Sequence, residues 1–188
     1  MAKDPWLTII GLGEDGPEGL CGASRLALQN AQVVIGPPRH LALLPDVMAE
    51  RIEWPVPFAD GIALLRRQRG RAVVMLTSGD PFWFGGGSVI ARDFPADEWR
   101  SIPTVSTFSL AANRLGWPME NVLCLGLHAA PLTRLRPCLA KGQRAIILLR
   151  DGDAVGRLAD YLRDHGFGES DLWVLEALGG PQERVTRA

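Results

Sequence analysis

The chain has 188 residues, enough for one large domain or two small ones, and 47% apolar against 22% charged content makes it an ordinary globular protein. With 20 basic and 21 acidic residues its formal charge is −1, which argues against the concentrated positive field that nucleic acid or an anionic membrane surface requires. No apolar run reaches membrane-spanning length, MAKDPW lacks a signal-peptide core, and three cysteines without metal-ligand spacing read as reduced thiols of a cytoplasmic protein with no metal.

Trp6 to Ile10 reads as the first strand and runs into a loop, Gly11 to Pro17. Leu20 to Ala31 spaces its apolar residues for one buried helix face. Gln32 to Ile35 is a second strand, closed by Gly36-Pro37-Pro38, and a short helix follows over Arg39 to Leu44. Arg51 to Trp54 is weakly strand-like; Asp60 to Gln68 is helical, with Asp60 as its expected N-cap. Ala72 to Leu76 is an unbroken apolar run, the mark of a strand buried on both faces. It spills into Thr77-Ser78-Gly79-Asp80-Pro81, and a helix is expected over Ser88 to Phe94. In open α/β sheets such a strand end is where ligands bind. Trp99 to Ile102 is a further strand, leading through the hydroxyl-rich Pro103 to Thr107 into a helix, Phe108 to Leu115.

After Pro118 the chain changes character. Strands are expected at Val122 to Leu127, Gln143 to Leu149 and Leu172 to Leu178, a partly helical stretch at Leu132 to Ala140, and a helix at Ala154 to His165. Strands alternate with helices throughout, so the fold class is α/β with a largely parallel sheet. The expected division is an N-terminal α/β domain over 1–118 and a second α/β domain over 119–188, the latter incomplete at its C-terminal end. The closing Glu183-Arg184-Val185-Thr186-Arg187 reads as an interrupted chain.

Gly11, Gly13 and Gly16 spell G-x-G-x-x-G, which would suggest a dinucleotide site. The acid expected at the end of the second strand is absent, and Glu14 and Asp15 inside the loop would repel a pyrophosphate. An acidic loop suits a neutral or cationic ligand.

Five stretches in order resemble the tetrapyrrole methylase family: GLGEDGPEGL at 11–20, AQVVIGPPRHL at 31–41, SGDPFWFG at 78–85, PTVSTFSLAANRLGWP at 103–118 and EALGGPQERV at 176–185. The resemblance implies a two-domain fold with a mostly parallel N-terminal sheet and a truncated mixed sheet after it. It implies S-adenosylmethionine as methyl donor, a precorrin-type tetrapyrrole as substrate, and a homodimer. GEDG and the PPRHL turn resemble the branch that methylates C5 of a corrin precursor. In long members of that branch a separate C-terminal methyltransferase/decarboxylase domain follows. By the same resemblance the donor site is carried onto Ile10, Gly79, Asp80, Trp83, Thr107, Phe108 and Leu149. Arg39 and Arg114 are candidates for the substrate's carboxylates, and Asp15 for a general base. By position alone Thr107 is equally an N-cap, Trp83 can be core, and each arginine taken singly reads first as surface. The family's usual loop, G-x-G-P-G-D, is departed from at Glu14-Asp15-Gly16, which displaces its carboxylate by one position.

Overall fold

The computed structural model describes residues 4–188. They divide into two units: one runs to Ser106 and takes in Gly179–Pro181, and the other comprises Thr107–Leu178 with Gln182–Ala188. The division comes before the helix that opens at Thr107, where the sequence pattern placed it after Pro118. The reason is non-local. That helix packs on a strand of the second unit, and Arg144 stacks over the Trp117 ring at 5.4 Å.

The first unit is built on five parallel strands: β1 (Leu7–Leu12), β2 (Val33–Gly36), β3 (Glu50–Glu53), β4 (Val73–Ser78) and β5 (Trp99–Ile102). They lie in the order β3-β2-β4-β1-β5. In register, Ile9 stands opposite Met75 and Ile10 opposite Leu76. Four helices connect them: α1 (Gly22–Gln29), α2 (Pro38–Ala42), α3 (Asp60–Arg66) and α4 (Gly87–Asp93).

Strand side chains alternate between two buried faces. Leu7, Ile9, Val33, Ile35, Val73 and Met75 pack with Ile62 and Leu65 of α3 and Ile90 of α4. Ile10, Leu12, Val34, Val74 and Leu76 pack with Ala27 and Leu28 of α1 and Leu41 of α2. So α1 and α2 cover one face, α3 and α4 the other. β1 and β4 are neighbours whose chains leave to opposite faces, which makes their carboxyl ends a topological switch point.

Two local expectations are corrected. Asp60 is the first residue of α3, not its cap; Ala59 before it is already helical in backbone. The G-x-G-x-x-G stretch does not open a helix. Gly11 lies within β1, a single 3-10 turn covers Gly16–Gly19, and α1 begins only at Gly22.

In the second unit α5 (Thr107–Leu115) is followed by the parallel pair β6 (Val122–Gly126) and β7 (Arg144–Leu148). A 3-10 stretch, Leu132–Cys138, stands between them. The helix α6 (Asp153–Asp164) is capped by Asp151, whose Oδ1 accepts from the Ala154 N–H at 2.9 Å. Its Leu158 and Leu162 close on Leu127 and Leu135. The segment read as an interrupted end is a strand, β9 (Arg184–Arg187), antiparallel to β8 (Trp173–Glu176). Among the described residues no helix is long and apolar enough to cross a membrane.

Leu65 is fully buried between α3 and the sheet. Leu65→Ala should lower unfolding free energy by about 3 kcal/mol in urea titration, the range for a buried leucine truncated to a cavity.

Candidate functional site

The carboxyl ends of β1 and β4 meet main chain to main chain. Gly79 N donates to Leu12 O at 3.1 Å, and Gly79 O accepts from Thr104 N, also at 3.1 Å. Gly79 has φ +53°, a conformation that favours glycine. A Cβ on Gly11 would lie 1.8 Å from Gly79 O and 2.7 Å from Thr104 N. Loops after β1, β4 and β5 therefore converge with no side chain between them. Asp80 follows directly. Its Oδ1 accepts from Phe82 N at 2.8 Å, and its carbonyl accepts from Trp83 N at 3.1 Å. The Asp80 carboxylate is half-buried on the rim, and the Phe82 and Phe84 side chains beyond it are exposed.

A polar cluster stands beside this rim. His40 of α2 is 4% exposed, and its Nε2 lies 3.0 Å from Ser78 Oγ at the end of β4. Arg39 Nη2 lies 3.3 Å from both His40 Nε2 and Ser78 Oγ. On its other side Arg39 Nη1 meets Glu14 Oε1 at 2.6 Å. Burial, and then the neighbouring Arg39 charge, lower the His40 pKa to about 4, against a smaller opposing effect of the Leu76 main chain.

The sequence-named residues fall in both units. Ile10 is fully buried in the sheet, so only its main chain can reach a ligand. Gly79, Asp80 and Trp83 share one loop, with Trp83 half-buried. Asp15 is exposed, with its carboxylate folded over Gly13 and Gly19 of its own loop. Glu14, not Asp15, reaches Arg39. In the second unit Thr107 is the exposed first residue of α5, Phe108 is 1% exposed, and Leu149 packs beside the Leu127 cluster. Arg114 is held by Glu183 in a two-bond fork, with Nη2 to Oε2 at 2.9 Å. The Glu183 hydrogen bond and charge raise the Arg114 pKa further. Sequence reading missed the Glu14–Arg39 and Arg114–Glu183 pairs; in each the partners are far apart along the chain. Among the described residues no group of His, Cys, Asp and Glu could hold a metal ion.

Two outcomes follow from this geometry. Gly11→Ala forces main chain apart at the rim and should cost about 2 kcal/mol or more in urea unfolding, as overpacking does. His40 titrates near 4 when folded and near 6.5 when unfolded, so below about 6.5 only the unfolded chain takes the proton. Stability is lost as pH falls through that window, by on the order of 3 kcal/mol. Chemical denaturation at neutral and acid pH should show His40→Gln losing less stability than wild type.

The sequence matches the family described as Tetrapyrrole (Corrin/Porphyrin) Methylases over residues 6–188. It is 44% identical over 183 residues to precorrin-6Y C(5,15)-methyltransferase [decarboxylating] of Sinorhizobium sp, covering 97% of this chain and 44% of that protein. The chain thus spans under half the length of that relative. In structure it is similar to cobalamin biosynthesis precorrin-6Y methylase of Archaeoglobus fulgidus, with TM-score 0.71 and 24% identity, over 97% of this chain and 88% of that one. It is likewise similar to uroporphyrin-III C-methyltransferase of Thermus thermophilus complexed with S-adenosylhomocysteine, with TM-score 0.73 and 24% identity, over 97% and 82% of the two chains. With the family matched across nearly its whole length and its glycine-lined rim at the sheet's switch point, the chain belongs to the tetrapyrrole methylases.

Proposed function

We propose that this chain is a methyl-transferring module acting on C5 of a precorrin, with S-adenosylmethionine as donor. The observation that carries the reading is the 44% identity, across 97% of the chain, to a protein named for methylation at C5 and C15 of precorrin-6Y. The solved relative from Thermus thermophilus that holds S-adenosylhomocysteine supports the choice of donor.

The bound donor would supply an electrophilic methyl group on a sulfonium. The chain's own residues position it and exclude water. The rim fits such a ligand. Gly79 fixes the turn, and Asp80, with Oδ1 already engaged by Phe82 N, has Oδ2 left to accept from a ribose hydroxyl or an ammonium. Trp83 lies in the same loop, and its donor role rests on the family resemblance. For Thr107, Phe108 and Leu149 the donor role rests on the family resemblance. Ile10 would contribute its main chain only. Arg39 and Arg114 would bind substrate carboxylates, each by exchanging the glutamate it now holds. Asp15, on the exposed loop before α1, would serve as proton acceptor. The working form would be a cytoplasmic homodimer.

A second reading is favoured by one fact: the chain covers 44% of its Sinorhizobium relative. The remainder of that length would be a C-terminal methyltransferase/decarboxylase domain. This chain would then be either the C5 catalyst beside it or a donor-binding module that supports it. Methylation at another ring position is the nearest alternative within the family.

Incubating the chain with precorrin-6B and S-adenosylmethionine should add one methyl group, located at C5 by NMR. No mass gain, with S-adenosylhomocysteine still bound, would favour the supporting module. Asp80→Ala should weaken S-adenosylhomocysteine about tenfold by calorimetry, the loss expected for a hydrogen bond to a charged group; an unchanged affinity would remove Asp80 from the donor site.

A further inference from the structure

We propose that Glu14 is a built-in competitor at the Arg39 carboxylate subsite: its side chain holds the guanidinium fork in the free chain and yields it to a carboxylate of the substrate. This rests on the reading of the substrate as an acidic tetrapyrrole, and it adds a specificity-determining pair and a positioning residue to that site.

One edge of Arg39 is fixed from the protein side. Nη2 lies within 3.3 Å of His40 Nε2 and Ser78 Oγ. The imidazole is buried, which limits its movement. Arg39 only donates, so Ser78 Oγ accepts from it. The other edge, Nη1, already takes a carboxylate at 2.6 Å, which demonstrates the chemistry the edge is fitted for.

The resident carboxylate is exchangeable. The Arg39 side chain is 61% exposed and that of Glu14 26%. Water and salt screen such a pair, and its net worth is small. A ligand with several carboxylates can displace it, while a neutral ligand leaves it in place. The Glu14 main chain lies close against Gly180: a Cβ there would lie 2.8 Å from Glu14 O and 2.6 Å from Glu14 Cβ. The competitor therefore acts at high local concentration but with low intrinsic strength. It would select polycarboxylated rings over their decarboxylated or esterified forms. His40 meets Arg39 and Ser78 in this cluster, so its part is to position.

The test uses the 188-residue chain, with uroporphyrin III as an eight-carboxylate probe read by tryptophan quenching, and S-adenosylhomocysteine affinity measured on the same samples. Glu14→Gln should tighten uroporphyrin by about two- to fivefold, the range an exposed ion pair supports. Arg39→Gln should weaken it about tenfold. Adding Glu14→Gln to Arg39→Gln should bring no gain, because the competitor then has nothing to guard. His40→Gln should weaken uroporphyrin in the wild-type background and change nothing in the Arg39→Gln background, which a general loss of structure would not reproduce. Donor-product affinity should hold in all variants. Uroporphyrin binding unchanged or weakened by Glu14→Gln, or absent in a wild type that still takes up S-adenosylhomocysteine, overturns the inference alone. A wild type that binds no S-adenosylhomocysteine overturns the methyltransferase reading and this inference with it.

Discussion

The arrangement of the first unit depends on one close approach: the α-carbon of Gly11 against the carbonyl of Gly79, with the Thr104 amide completing the contact. Adjacent parallel strands ordinarily diverge into their loops with side chains between them. Here Gly11 of β1 carries no side chain, which lets the Gly79 turn after β4 close directly onto it. The hydrogen bond from Gly79 N to Leu12 O extends the β1–β4 pairing into the turn. Beneath this contact Ile9, Ile10, Met75 and Leu76 are almost wholly buried. Close-packed interiors yield little. Asp80 and Trp83 therefore project from a stiff base, which is what positioning chemistry requires.

Each unit carries an arginine paired with a glutamate: Arg39 and Arg114 both hold theirs at hydrogen-bond distance. Exposed pairs of this kind add little to stability, because water and salt screen them. Their effect is local: they keep a guanidinium extended and oriented. The buried neutral imidazole of His40 does the same for Arg39 from beneath, adding no second positive charge above a pH of about 4.

Much of the first unit was legible in its residues. The run Ala72 to Leu76 announced a strand covered on both faces, and Val73 to Leu76 are buried alternately against α3/α4 and α1/α2. The glycine at 79 was legible as a turn, since few other residues adopt its backbone. Family membership was legible because five separate stretches fell in order. Features set by distant partners were not. Arg184 to Arg187 carries one apolar residue, and it is a strand only because β8 lies alongside. The start of α3 at Asp60 was legible, but its cap was not: Asp60 N bonds to Pro57 O, and the cap position falls to Ala59. Ser78 and His40 are 38 residues apart, and nothing local to either marks their contact. The sequence named both arginines, while their glutamate partners lay elsewhere in the chain.

The first unit is discontinuous: Gly179–Pro181 belong to it, although the second unit intervenes in sequence. On the ribosome, where chains emerge from the N-terminus and domains fold as units, the five-stranded sheet can form long before those three residues are made. Until they arrive, the backbone of Glu14 lacks the neighbour that Gly180 provides. The loop that bears this acid can therefore gain its last neighbour only after most of the second unit, through Leu178, has been made.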